Sequence, residues 1–315
     1  MKVAAVIPNW NGIERLPRCM ASLYFQTRHF DRIIVVDNGS TDGSQHFAQI
    51  RLNENLGFAA AVNRGAWDAT GYDWIAVLNN DVYLAPNWLE AMLAAQPYDI
   101  GGGRLRLASN PRLLDGAGDA LSLGLAAARL GHGRNDGEAF DTRRPVLAVC
   151  FAAALIRSEA FFRVGGLDER FFAYLEDVEF CLRARLAGFR TEYVPSAIAL
   201  HEGGGSTAGE LDPRRVAWMT TNQILLAARY ARGRMWPRVL LTQILWAARM
   251  AHHGRSTAWL QGLLKGLPQW RALRNTAPRL ASARLIALLH ASERQILEDC
   301  GTRDRFWRIY FSLFG

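Results

Sequence analysis

Short apolar strands alternating with amphipathic helices over the first two-thirds of this chain predict an α/β fold: a mostly parallel central sheet with helices on both faces. A second observation adds a helical C-terminal region, because strand patterns stop near Arg214 and helical spacing continues to the end. A third is composition. With 50% hydrophobic and 21% charged residues, the 315 positions describe a globular chain, long enough for one large core or two smaller ones.

Val3 to Ile7 reads as a buried strand ended by Pro8. Ile13 to Gln26 has helical spacing, with Leu16, Met20 and Leu23 on one face. Ile33 to Val36 is a second strand, rich in β-branched residues. Asp37 to Gly43 is a polar turn, and Ser40 or Thr41 is expected to cap a following helix. Asn53 to Gly57 is a loop and Phe58 to Thr70 a helix. Trp74 to Leu78 is the third strong strand, and Pro86 to Ala95 a helix with proline near its first turn. Gly101 to Pro145 reads as loops and a hairpin, while the apolar run Val146 to Arg157 fits either strand or helix. Gly165 to Asp168 is a turn. Leu175 to Ala187 is a helix ended by Gly188, and Thr191 to Val194 a short strand before Pro195. His201 to Gly209 is a flexible glycine-rich segment. Later helices are expected to break at Gly233, Pro237, Gly254, Pro268 and Pro278. The implied division is 1–212 for the α/β part and 213–315 for the helical part.

Net charge is +8, unevenly spread. Residues 213–315 hold 17 Lys and Arg against 4 Asp and Glu, whereas residues 1–212 hold 20 against 25. Six of the ten tryptophans share the basic third: Trp218, Trp236, Trp246, Trp259, Trp270 and Trp307. Trp and Arg on amphipathic helices suit an anionic membrane surface; the same helices equally suit packing on the sheet or a homodimer. Basic charge also admits a nucleic-acid-binding protein, but no nucleic-acid motif appears, and the polar strand ends would go unexplained. No stretch reaches the roughly 18 apolar residues of a spanning helix. The apolar run at the N-terminus is too short for a signal peptide. Cys19, Cys150, Cys181 and Cys300 lack metal or redox spacing, so free thiols in a reducing cytosol are expected, with Cys150 in the core. His252-His253 reads as a wet helix face.

Chemistry concentrates where strands end. Asn79-Asn80-Asp81 follows the third strand, at the edge where open α/β sheets bind ligands. Such a triplet is also an ordinary turn signal. A hard cation bridging a diphosphate requires one or two carboxylate ligands of this kind. Pro8-Asn9-Trp10-Asn11-Gly12 and Asp37-Asn38-Gly39-Ser40-Thr41-Asp42 follow the first two strands, so all three segments share one edge. Glu176-Asp177 opens a later helix, and His201 starts the glycine-rich segment.

In this order, over roughly residues 1–207, the set resembles the inverting family 2 glycosyltransferases of GT-A (Rossmann-like) fold, most closely the bacterial rhamnosyltransferase branch. The resemblance rests on Val6-Ile7-Pro8-Asn9-Trp10-Asn11, Val35-Val36-Asp37-Asn38-Gly39-Ser40-Thr41-Asp42, Asn53-Glu54-Asn55-Leu56-Gly57-Phe58 and Leu78-Asn79-Asn80-Asp81. Its later half is Gly166-Leu167-Asp168-Glu169, Phe171 to Glu179, Val194-Pro195 and His201. The resemblance implies metal-dependent transfer from a nucleotide sugar, a dTDP- or UDP-sugar and foremost dTDP-L-rhamnose. The implied acceptor is a glycan, linked to a polyprenyl diphosphate, at the cytoplasmic face of the cell membrane. Asp81 matches the last residue of the family's Asp-x-Asp metal motif and His201 its third ligand, for Mg2+ or Mn2+. Asn79 stands where the family has its first Asp and is assigned to ribose or phosphate hydrogen bonding. Asp177 matches the catalytic base, favoured as an anion near a helix N-terminus; Glu176, Asp168 and Tyr174 fall on the acceptor side. Asp37 matches the residue that accepts from the pyrimidine base. Trp10 is expected against base or ribose, and Pro8, Asn11, Asn55, Gly57 and Asn63 along the nucleotide cleft. A catalytically inactive scaffold is the remaining alternative, opposed by the retained Asp81, Asp177 and His201.

Overall fold

The structure, a computed structural model, describes residues 1–203, 209, 211–276, 282–301 and 303–314. Most of the glycine-rich segment after His201, and the break expected at Pro278, lie outside the described residues. The elements run β1 (Val3–Asn9), α1 (Leu16–Tyr24), β2 (Arg32–Asn38), β3 (Ile50–Leu52), α2 (Phe58–Asp68), β4 (Trp74–Leu78), β5 (Val82–Leu84) and α3 (Trp88–Ala94). Next come β6 (Ile100–Leu107), β7 (Asn110–Gly116), β8 (Asp119–Leu121), β9 (Ala127–Arg129), β10 (Arg144–Pro145), β11 (Ala153–Arg157), α4 (Ser158–Arg163), α5 (Glu176–Ala187) and β12 (Thr191–His201). The helical third holds α6 (Pro213–Tyr230), α7 (Trp236–His252), α8 (Ser256–Gly266), α9 (Trp270–Thr276), α10 (Ser282–Cys300) and α11 (Arg305–Phe314).

The main sheet is ordered β10-β12-β6-β11-β4-β1-β2-β3, and its β3-β2-β1-β4 half is wholly parallel. Every residue of β1 is buried, as a central parallel strand covered on both faces requires. Its side chains alternate: Ala4 and Val6 enter one core, Val3, Ala5 and Ile7 the other. The second core is closed by α1 and α3 through Leu16, Leu23, Trp88 and Met92. The first takes α2, α5 and much of the helical third, so hydrophobic packing runs across residue 212. Register sets Asn9 beside Asp37 and Val6 beside Val77. The polar tails of β1, β2 and β4 therefore emerge on one edge.

Four local expectations need correction. Residues 101–145 carry β6 to β10 rather than mainly loops. The glycines there serve close packing: a Cβ on Gly103 would lie 2.1 Å from the Ala197 carbonyl oxygen. The expected helix after Asp42 is one short turn, Ser44–Phe47, with Gly43 at its N-cap position and no side-chain cap; Asp42 accepts from the Ser44 amide at 3.0 Å, and neither Ser40 nor Thr41 caps the turn. The strand from Thr191 passes through Pro195 to His201, absorbing the missing N–H in a register shift between Val194 and Ile198. The run from Val146 becomes a strand only at Ala153, where β11 inserts antiparallel between β4 and β6.

Two parts of the helical third behave differently. Helices α10 and α11 grip the β8–β9 connection: Leu121 N donates to Ser292 at 2.8 Å, Leu123 N to Glu293 at 3.0 Å and Gly124 N to the Tyr310 hydroxyl at 3.1 Å. Helices α7 and α8 expose Leu240, Ile244, Leu260 and Leu264, while α10 and α11 also leave Leu297 and Leu313 exposed. No helix among the described residues is long and apolar enough to cross a membrane.

Candidate active site

The strand-end edge is tied together by asparagines. Asn9 Nδ2 donates to Ser44 Oγ at 2.9 Å and to Asp37 Oδ1 at 3.3 Å, while its Oδ1 accepts from Asn80 at 2.8 Å. Asn38 donates to Asn55 Oδ1 and to the Gly57 carbonyl, each at 3.0 Å, and accepts from the Leu56 amide at 2.9 Å. Buried amides need these partners, and meeting the need fixes the three loops against one another. Beside them opens a cleft of about 540 Å³, walled by Pro8, Trp10, Asn55, Asn79, Asp81 and His201 on this side.

His201 closes β12 and Asp81 immediately precedes β5, and the antiparallel pairing of His201 with Val82 brings the two together. His201 Nε2 lies 3.3 Å from Asp81 Oδ1 and 3.4 Å from Asn79 Nδ2. Its Nδ1 is engaged at 2.9 Å by Asp115 Oδ2, from β7. Burial favours the neutral ring, but Asp115 and Asp81 outweigh it and lift the imidazole to about 9. For Asp115 itself burial is likewise overcome: Arg129, His132 and His201 hold its carboxyl well below the usual range.

The opposite electrostatics rule at the start of α5. Burial first, then the neighbouring Asp177 charge, push Glu176 well above the usual carboxylate range. Asp177 is also raised by burial, against Arg129 and the amides of Val178 (2.8 Å) and Phe151 (3.3 Å). The amides at the start of α5 favour the anion, and desolvation outweighs them. Asp119 is lifted to about 6 by burial and by Asp177. Arg129 sits among these groups, 3.2 Å from Asp119, 3.1 Å from Asp115 and 3.0 Å from Cys150 Sγ.

Of the residues expected from sequence, Pro8, Trp10, Asn55, Asn79, Asp81, Tyr174, Glu176, Asp177 and His201 line the one cleft. Asn11, Asp37, Gly57, Asn63 and Asp168 are not among its walls, and each has a structural occupation. Asn11 accepts from the Thr41 amide at 2.9 Å, joining two loops. Asp37 is buried one layer back, accepting from Asn9 and from the Ser40 amide at 3.1 Å. Gly57 has φ +95°, and a Cβ there would lie 2.5 Å from the Phe172 carbonyl oxygen. Asn63 clasps Leu167, donating to its carbonyl at 2.9 Å and accepting from its amide at 2.8 Å. Asp168 is bound by Arg170 at 2.6 Å and Arg229 at 2.5 Å.

Sequence reasoning missed Asp115, Asp119 and Arg129, which β7 to β9 carry into the cleft, His132 in the turn after β9, and Arg215 and Trp218 of α6. Cys150, expected in the core, also lines it, with burial pushing its thiol well above the ordinary value. Only strand alternation within residues 110–129 offered a signal, and the glycines and arginines there obscured it.

Residues 4–99 match the model of glycosyl transferase family 2, and residues 74–290 that of glycosyl transferase family group 2. The chain is 31% identical over 252 residues to the N-acetylglucosaminyl-diphospho-decaprenol L-rhamnosyltransferase of Mycobacterium tuberculosis, covering 69% of this chain and 81% of that one. A 47-residue stretch is 49% identical to rhamnosyltransferase WbbL of Escherichia coli K12, 15% of this chain and 18% of that one. Among solved structures, GalNAc-T7 with UDP, GalNAc and Mn2+ superposes with a TM-score of 0.58 at 14% identity. That match covers 88% of this chain and 58% of GalNAc-T7, and it speaks to the GT-A fold alone.

Proposed function

Because this chain belongs to glycosyl transferase family 2, we propose that its cleft transfers a sugar from a nucleoside diphosphate to a glycan hydroxyl, with inversion. The observation that carries this reading is the shared cleft, where the Asp81–His201 pair and the buried carboxylate Asp177 meet. The acceptor hydroxyl gives its proton to Asp177 while its oxygen attacks the anomeric carbon. The bond from that carbon to the diphosphate breaks, and its electron pair leaves on the phosphate oxygen. Burial makes Asp177 a stronger proton acceptor than an exposed aspartate. Glu176 and Tyr174 bind the acceptor beside it.

Asp81 and His201 would hold a divalent cation, Mg2+ or Mn2+. The fit is supported by Asp115, which occupies Nδ1 and leaves Nε2 to face Asp81, the orientation a metal-binding imidazole needs. When bound, the cation supplies Lewis-acid neutralisation of the departing diphosphate. Asp119, Cys150 and Asp177 also bring ligand atoms within 4.8 Å of one another. The Arg129 guanidinium already lies against two of them and supplies a positive charge there. Trp10 and Asn55 border the nucleoside and Asn79 reaches its phosphate or ribose, with Asn11, Asp37, Gly57 and Asn63 shaping this wall from behind.

The names of the two relatives support rhamnose as the sugar, and the name of the first supports L-rhamnose and a polyprenyl-diphosphate-linked acceptor; dTDP-L-rhamnose is the donor that the sequence resemblance implies. The basic third and the exposed leucines of α7 and α8 support a peripheral position on a membrane; its cytoplasmic face and a role in cell-surface polysaccharide synthesis are what the family resemblance implies. The test is incubation with dTDP-L-rhamnose and a polyprenyl-diphosphate-linked N-acetylglucosamine. From the β-linked donor, NMR should find an α-rhamnoside. A β-rhamnoside overturns the single displacement, and no transfer from any nucleotide sugar overturns the reading.

A further inference from the structure

The approach to α5 is conformationally costly. Tyr174 and Leu175, immediately before Glu176, have φ of 70° and 63°. Left-handed backbone is disfavoured for residues with a Cβ, and two in succession persist only where surroundings over-determine them. The contact that does so comes from the helical third. Asn222, on α6 and 1% exposed, donates from Nδ2 to the Ala173 carbonyl at 2.8 Å and the Tyr174 carbonyl at 2.6 Å. A side-chain amide carries two N–H donors, and both meet this turn. Helix α6 is anchored on either side. Thr221 donates to the Gly262 carbonyl at 3.0 Å. Two turns further on, Arg229 and Tyr230 bind Glu179, itself two residues past Asp177.

We propose that Asn222 is a positioning residue for Asp177: it holds the left-handed Tyr174–Leu175 turn, and through it the first turn of α5, while lying outside the cleft walls itself. This inference rests on Asp177 as the base. It assigns part of the helical third to the chemistry rather than to the membrane alone.

A double-mutant cycle tests it. Asn222→Ala should lower kcat about 10–100-fold, the scale of a misplacement near 1 Å, with dTDP affinity by calorimetry unchanged. In an Asp177→Asn background the same substitution should cost no more than about twofold, since groups acting as a unit are not additive. Equal losses in both backgrounds would mean a merely structural role and overturn the proposal. Parent-like turnover of Asn222→Ala, with Asp177→Asn inactive, overturns it while leaving the base in place. Parent-like turnover of Asp177→Asn removes the base itself, and this proposal with it. If Asn222→Ala does not fold, Asn222→Ser, which keeps one donor, should give a smaller loss obeying the same non-additivity. Amide hydrogen exchange gives a readout without substrate. Residues 174–178 should exchange faster in either folded Asn222 variant, and unchanged exchange overturns the proposal.

Discussion

The wall of the cleft proposed for the nucleotide and the wall proposed for the acceptor are built by different means. The first comes mostly from the tails of three neighbouring parallel strands, where one edge collects their polar residues. The second assembles Asp119, Arg129, Cys150, Glu176, Asp177 and Trp218 from five separate stretches of chain. Their electrostatics also diverge. Asp115, behind the Asp81–His201 pair, is held low by surrounding cations, whereas burial drives Glu176, Asp177 and Asp119 up. Under the proposed function, carboxylates pushed apart in this way would divide the labour, one set staying anionic and the other, with Asp177, taking up protons.

The largest expected effect lies on the acceptor wall. Asp177→Asn should lower turnover on the order of 10²–10⁴-fold, the usual worth of a general base. A base works only when ionised. Since burial raises Asp177, kcat should rise with pH over a limb above the ordinary aspartate value near 3.9. Residual activity of Asp177→Asn should lack that limb, and a limb surviving in the variant would assign it to another group. Next comes the joint behind this wall. Glu179 is fully buried among Arg183, Arg229 and Tyr230. Glu179→Ala removes the carboxylate shared by Arg183 and Arg229, leaving Arg229 with Asp168 alone, and should cost about 3–5 kcal/mol in a denaturant midpoint experiment. An unchanged midpoint would show that α6 is not held to α5 through this network.

Asp115→Asn probes the other wall and should weaken Mn2+ affinity or activity by about 10–100-fold, the range for partners that orient a ligating histidine. Equal Mn2+ titrations of parent and variant would detach Asp115 from the cation seat. The smallest effect belongs to α7 and α8. Flotation with anionic vesicles should exceed that with neutral ones, with up to about 1 kcal/mol for each Arg reaching the surface, and should weaken as salt rises. Leu240→Asp with Leu264→Asp should reduce both. Equal flotation on the two vesicle types removes the charge contribution.

The same contrast explains what was legible in the sequence. The β1, β2 and β4 patterns and their polar tails were readable because strand and turn signals are local. Glu176-Asp177 was readable as a helix start, though not its raised basicity, which depends on the depth of burial. Residues 101–145 were misread because Gly102 and Gly103 are small for packing against Val149 and Ala197, and that cause is tertiary. Asp168 and Asn63 carried motif signals, yet the first pairs with Arg229 and the second with Leu167, partners far away in sequence. The helical third posed a choice between packing and membrane. Helices α6, α10 and α11 pack into the core, and the exposed leucines are most numerous on α7 and α8.

The most direct test of two walls with separate roles is dTDP binding by calorimetry, with Mn2+ present, in the parent, Asp81→Ala and Asp177→Asn. Asp81→Ala, like excess EDTA on the parent, should sharply weaken nucleotide binding, because the diphosphate loses its counter-charge. Asp177→Asn should bind as the parent does. Parent-like binding by Asp81→Ala in excess EDTA, or loss of nucleotide affinity in Asp177→Asn, would contradict the division.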